Sequence, residues 1–257
     1  VLQYRKSSPS LFFKGFVMTS AALLSAIASL GSIHSNSICE NDDRKESSFA
    51  PVGMVRSMDQ LSNPGYCTLT LISDSCALTA GHCLHLIEEA YFFPPNSNTG
   101  EVVPYAEHKY VADKNSIRAL QTRIGNDWAV VRLKANTLTG LLPGKVHGFV
   151  EPELTDVSLP EGTLELHATQ SSAPKAFERF SASGDILSAE NSILFHSLDT
   201  AAGSSGSLIL NPQSGRAIAI HTHGGCDTMK NNKATIIPRA SYLVKAIRAC
   251  LHSERSR

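Results

Sequence analysis

Several things are scarce in this sequence. It holds one tryptophan, its aromatic residues reach only 7%, and its charged residues 18%. Lysine plus arginine number 23 and aspartate plus glutamate number 23, so the formal net charge is zero. That balance gives no electrostatic footprint for nucleic acid or an anionic membrane as the main partner. No Asn-x-Ser/Thr acceptor site occurs, and no Cys-x-x-Cys pair of the kind that builds structural zinc sites. No repeat, low-complexity tract or appended module is visible. Helical periodicity is confined to Ser241–Leu251, where Tyr242, Leu243, Ala246, Ile247, Cys250 and Leu251 recur at helical spacing.

What is present is an apolar fraction of 42% in 257 residues, enough for one or two compact units. Short runs carry the strand signal. Cys67–Ile72 alternates in character, Ala77–Thr79 and Trp128–Leu133 are apolar, and Thr163–Ala168 alternates again. Ser207–Leu210 and Ala217–Ile220 read as two strands joined by the turn Asn211–Gly215. Many short strands with Gly and Pro between them indicate an all-β barrel or sandwich. One amphipathic helix would then close the chain, and the Pro-, Gly- and Leu-rich stretch 141–161 suits a connection between two halves.

The first 37 residues read as a signal peptide, with Arg5, Lys6 and Lys14 before an uncharged apolar stretch from Phe16 to Ile33 and small residues at Ala26-Ile27-Ala28. About 18 apolar residues can also just span a bilayer, so an uncleaved anchor is the alternative. Residues 38–60 are polar, with Asn41–Glu46 at their centre, and read as a propeptide or leader. Six cysteines fit an oxidising compartment, hence a secreted or periplasmic protein. Cys67 and Cys83 read as a disulfide pair that fixes the loop after them; Cys39, Cys76, Cys226 and Cys250 allow three pairings, among which the sequence does not choose.

Three motifs carry chemistry: Thr79-Ala80-Gly81-His82-Cys83, Asn126-Asp127-Trp128-Ala129-Val130-Val131, and Gly203-Ser204-Ser205-Gly206-Ser207. A serine hydroxyl becomes a useful nucleophile only with a base in hydrogen-bonding reach and a carboxylate to orient that base. With the stretch Ala219–Gly225, these motifs resemble the chymotrypsin-like serine proteases over roughly residues 60–250, and within them the bacterial glutamyl endopeptidase group. The order His, Asp, Ser sets this arrangement apart from the subtilisin and α/β-hydrolase orders.

The resemblance implies two six-stranded antiparallel β-barrels, residues 61–145 and 146–257, with His82 and Asp127 from the first and Ser205 from the second. It implies a Ser205 nucleophile, a His82 base, an Asp127 orienting acid, and an oxyanion hole from the N–H groups of Gly203 and Ser205. No cofactor or metal is implied, and the partners are polypeptide substrates met by a monomer without stable membrane association. The substrate pocket would draw on Asp199, Thr200, His221, Thr222 and Gly224. Thr200 and His221 match positions that contact an acidic side chain in glutamyl endopeptidases, whereas Asp199 falls where trypsin carries its specificity acid. Acidic, basic and small preferences therefore stay open, with acidic favoured.

The sequence also departs from the family. Ser204 stands where the trypsin branch has the aspartate that captures a new N-terminus, and no Ile-Val-Gly-Gly start precedes Cys67. Ala201 replaces the usual partner of Cys226, which must pair elsewhere or stay free. His221-x-His223-x-x-Cys226 and His82-Cys83-x-His85 contain ligand types, but their spacing fits no zinc pattern. From a different functional class, the alternative is a catalytically silent homologue that uses the double barrel as a binding module.

Overall fold

The short apolar and β-branched runs do become strands. The computed structural model describes residues 37–56, 66–92, 106–156, 158–170 and 178–255, all of which lie in the unit His34–Arg257. Residues 1–36 of the stretch expected to be a signal segment lie outside the described residues, whereas Ser37, its last residue, is bonded to Thr200 and belongs to the fold. Among the described residues no helix is long and apolar enough to cross a membrane.

The chain enters along the second barrel as β1 (Lys45–Glu46) and then builds the first sheet. That sheet contains β2 (Val52–Arg56), β3 (Cys67–Leu71), β4 (Cys76–Thr79), β5 (Glu89–Tyr91), β6 (Lys109–Val111), β7 (Arg118–Gln121) and β8 (Asp127–Arg132). Its order is β6-β5-β2-β3-β4-β8-β7, antiparallel throughout. It is a curled half-barrel in which β7 is added as a seventh strand outside β8. Its edge strand β6 meets β8, the strand next to the other edge, through the bridge between Ala112 and Leu133, where the Lys134 N–H donates to the Val111 carbonyl at 2.9 Å.

The second sheet does close. It holds β9 (Thr163–Thr169), β10 (Arg179–Glu190), β11 (Ile193–His196), β12 (Leu208–Asn211), β13 (Arg216–His223) and β14 (Asn232–Ile236). The order β10-β11-β14-β13-β12-β9 returns on itself because β9 also pairs with β10. β10 was not visible in the sequence. Only its first residues are steadily buried, and its far half is exposed, so it lacks the alternation that marks a half-buried strand.

Residues 38–56, the described part of the stretch read as a propeptide or leader, run along both sheets. β1 pairs with β10, Phe49 stacks on His167 with ring centroids 4.2 Å apart, and Arg179 donates to the Phe49 carbonyl at 2.9 Å. β2 is an interior strand of the first sheet, so that sheet begins at Val52 and not near residue 61. Charge density hid this, because the polar side chains ride on a backbone whose N–H and C=O groups are taken up by the barrels.

Three large apolar cores result among the described residues, beside a small cluster of Met54, Tyr91 and Tyr66. One fills the first sheet around Leu69, Phe92, Tyr110 and Val131. Another fills the second barrel around Leu164, Leu194, Ile209 and Ile236. The third joins Leu78, Trp128 and Val130 to Leu208, Ile220 and the C-terminal helix Ser241–Arg255 through Leu243 and Ile247. Each fully buried Leu or Ile contributes about 1.5–3 kcal/mol, so this interface fixes the two barrels on one another. The helix is where periodicity placed it, although Tyr242 faces solvent rather than the core. All six cysteines are paired, as Cys39–Cys226, Cys67–Cys83 and Cys76–Cys250. The last of these pins the helix to β4.

Buried histidines make the fold acid-sensitive. Burial pushes His147, stacked on Phe92 at 4.9 Å, down to about 4, and pushes His196 down to about 3. Below the ordinary value of 6.5 the unfolded chain takes up protons that the folded one refuses, so stability falls as pH drops from 6.5 towards 4. His147 alone contributes roughly 3 kcal/mol over that window. Melting followed by circular dichroism should show Tm lower by about 10 °C at pH 4 than at pH 7.

Candidate active site

Asp127 opens β8 and is 2% exposed, while His82 sits in the tight turn Gly81–Leu86 directly after β4. The turn approaches β8 closely because residue 81 is glycine. A Cβ there would lie 2.2 Å from the Leu120 carbonyl oxygen and 2.9 Å from Asp127 Oδ1. The backbone N–H of His82 donates to Asp127 Oδ1 at 2.8 Å, and His82 Nδ1 meets Asp127 Oδ2 at 2.7 Å. Burial pushes the Asp127 carboxyl up, but the hydrogen bonds and charge of His82 outweigh it and hold the group below its ordinary value. An ionised Asp127 accepts from Nδ1–H, which leaves Nε2 as the free base. The His82 side chain is 30% exposed, so that nitrogen can be reached. The Cys67–Cys83 disulfide, expected from sequence, ties this turn to β3.

Ser205 lies in the loop between β11 and β12. The loop is wound by internal bonds: Ser204 N–H donates to the Ala201 carbonyl at 3.0 Å, Ala201 N–H donates to Ser204 Oγ at 2.9 Å, and Ser207 Oγ donates to the Ser204 carbonyl at 2.7 Å. Ser204, where the trypsin branch keeps its aspartate, is thus fully buried and serves the loop itself. Gly203 takes φ 97° and Gly206 φ 93°, both in the region that side chains disfavour. Among the described residues neither the Gly203 nor the Ser205 N–H has a protein acceptor. Such free donors suit a developing oxyanion.

Thr68, on β3, was not found from sequence. Its N–H donates to the Ser205 carbonyl at 2.8 Å and its hydroxyl to the Gly203 carbonyl at 2.8 Å, which holds the serine loop against the first sheet. A second tie runs from the Thr235 hydroxyl to the Asp127 carbonyl at 3.2 Å. The even burial of β3 now has a reason, because its threonine face meets the other barrel. The serine and histidine loops abut, since a Cβ on Gly206 would lie 2.9 Å from the Ala80 nitrogen. The Ser205 hydroxyl and the His82 ring share no hydrogen bond among the described residues. In unliganded sites such bonds are often long. The same Cβ would fall 2.2 Å from both the Thr68 carbonyl oxygen and Thr79 Oγ1. Gly206→Ala is therefore expected to destabilise the protein by about 3–5 kcal/mol in urea unfolding, combining a strained φ with backbone overlap.

The residues expected to form the pocket are gathered together, but they are not all free. Thr200, His221 and Thr222 are each 2–3% exposed. His221 Nδ1 lies 3.2 Å from His196 Nε2, and His196 Nδ1 has no partner among the described residues. Burial holds the ring of His221 well below its ordinary value, with His196 and His223 adding to the effect. His221 therefore offers a neutral imidazole rather than the added charge of a protonated one. Thr200 Oγ1 lies 3.4 Å from Asn232 Nδ2. Both Asp199 oxygens are engaged by backbone N–H groups, from Cys39 at 2.8 Å and Asp43 at 3.2 Å. Gly224 faces Ser37, whose Cβ would be 2.9 Å from a Cβ placed there. His223 Nδ1 stands 3.9 Å from Asp127 Oδ2, with its ring 5.8 Å from that of His82. Cys83 and Cys226 are both in disulfides, so neither offers a thiolate to the histidines beside it.

No protein-family model matches the chain, and no curated sequence matches it either. Solved structures do. A Glu endopeptidase in complex with MPD aligns over 83% of this chain and 98% of its own, at TM-score 0.65 and 16% identity. The protease Anisep from Arthrobacter nicotinovorans aligns over 75% and 93%, at 0.57 and 17%. An inactivated protease paralogue of the scabies mite aligns over 81% and 96%, at 0.58 and 11%. The chain has the chymotrypsin-like fold that these proteins share.

Proposed function

We propose that this chain is an exported serine endopeptidase that cleaves polypeptides through an acyl-enzyme on Ser205. The observation that carries the reading is the two-point contact between His82 and a buried, ionised Asp127, beside a serine loop with two unengaged N–H groups. His82 Nε2 takes the Ser205 proton as Oγ attacks the carbonyl carbon, and later gives it to the leaving amine. Asp127 keeps the ring in the needed tautomer and stabilises the imidazolium. The N–H groups of Gly203 and Ser205 receive the oxyanion, and water then releases the acyl group. The reaction needs no cofactor, and three disulfides fit an oxidising compartment.

A preference for an acidic residue before the cut is supported by Thr200 and His221, one hydroxyl and one neutral imidazole, both able to donate to a carboxylate. The likeness in fold to a Glu endopeptidase points the same way. A second reading, a catalytically silent binding module, is favoured by the missing Ser205–His82 hydrogen bond and by the likeness to an inactivated paralogue. A fluorophosphonate separates the two. Covalent label on Ser205, found by peptide mapping and prevented by prior heating, is the expected result. An unlabelled folded protein that hydrolyses no peptide in a broad library would leave the binding module.

A further inference from the structure

Residues 37–43 run as a strap between the two walls of the candidate pocket. On one wall, Ser37 and Thr200 exchange backbone bonds, Ser37 N–H to the Thr200 carbonyl at 2.9 Å and the reverse at 3.1 Å. On the other, Ser37 Oγ accepts from the N–H groups of Gly225 at 2.9 Å and Cys226 at 3.0 Å, and donates to Asn232 Oδ1 at 2.6 Å. Asn232 Nδ2 passes the contact back to the first wall through the Leu198 carbonyl at 2.8 Å. Cys39–Cys226 locks the strap covalently across 187 residues of chain. At its centre lies Asp199, 3% exposed, with one oxygen on the Cys39 N–H and the other on the Asp43 N–H.

We propose that residues 37–43 form a permanent wall of the specificity pocket, and that Asp199 is the positioning residue that holds this wall rather than a group that binds substrate. The proposal rests on the endopeptidase reading above. A buried carboxylate is tolerable only where hydrogen bonds replace its water, and here the strap supplies them. A lysine or arginine side chain could reach Asp199 only by displacing the strap, at the cost of two charge-assisted bonds and against the disulfide. A side chain bound by Thr200 and His221 makes no such demand. The strap also fits the loss of the aspartate at position 204, because this pocket is braced by a crosslinked segment instead of a captured N-terminus. A cut anywhere after Cys39 would leave the strap attached.

The mature protein, labelled with a fluorophosphonate and digested without reduction, tests the wall directly. Mass spectrometry should find residues 37–43 joined to Cys226 in the labelled molecules; labelled protein that lacks them would overturn the proposal. If Ser205 takes no label, the endopeptidase reading falls, and the same spectra still report whether the strap is retained. Peptides that differ only in the residue before the cut test Asp199. Lysine and arginine are expected to be at least about 100-fold poorer in kcat/KM than the best residue. A preference for either would show Asp199 open to substrate and end the idea. In Asp199→Asn the amide N–H faces a strap N–H, so KM is expected to rise about 10-fold while the labelling rate at Ser205 changes less than about 3-fold. An unchanged KM would count against the role. Should that variant fail to fold, strap retention and the wild-type preference decide the question.

Discussion

Ser205→Ala should abolish peptide hydrolysis while leaving the protein folded. The expected fall in kcat is about 10⁶-fold, the scale on which loss of a serine nucleophile acts. The fold should not notice the change. Ser205 is held through its backbone, by the Thr68 N–H on its carbonyl, and its hydroxyl makes no hydrogen bond among the described residues. Removal of an oxygen that bonds to nothing creates no orphaned partner, so stability should stay within about 0.5 kcal/mol. A melting curve and a turnover assay on the same sample check both halves. Hydrolysis that persists after the substitution would remove Ser205 from the mechanism; a collapsed melting curve would mean that the loop depends on the hydroxyl after all.

Asp127→Asn is expected to cost about 10⁴-fold in kcat by a different route. The carboxylate has two acceptor oxygens, and both are used by His82, one by the backbone N–H and one by Nδ1. An amide has a single acceptor. If its oxygen keeps the backbone N–H, its NH₂ faces Nδ1 and forces that nitrogen to accept. The ring proton then moves to Nε2, and the nitrogen that should receive the serine proton already carries one. The charge that stabilised the imidazolium is lost as well. Steady-state kinetics should show the loss mainly in kcat, since Asp127 is buried and touches no substrate. A loss confined to KM would contradict the assigned role.

The strands that surround the site were legible because each is a local pattern. Cys67–Ile72, Trp128–Leu133 and the pair on either side of Asn211–Gly215 announce themselves within a few residues, and the final helix does so through its period. The motifs around His82, Asp127 and Ser205 are local in the same way, and the contact between His82 and Asp127 is one that their short segments bring about. β10 was missed because half of it is exposed on both faces, and the bonds of the strap could not be read because its charged side chains say nothing of where its backbone bonds go. Thr68 gave no signal at all. A threonine on a strand is ordinary until the other barrel's serine loop lands on it.

By itself, then, the sequence determined the all-β class, the terminal helix and the Cys67–Cys83 link, since each is written within a short stretch of neighbouring residues. Tertiary structure alone decided that Cys39 joins Cys226, that Cys76 joins Cys250, and that Asp199 is taken by backbone N–H groups from residues 39 and 43. Those contacts join positions more than 150 residues apart. No periodicity or motif encodes such a distance. It is set when two sheets bury their apolar faces against each other and whatever lies at the seam must find a partner.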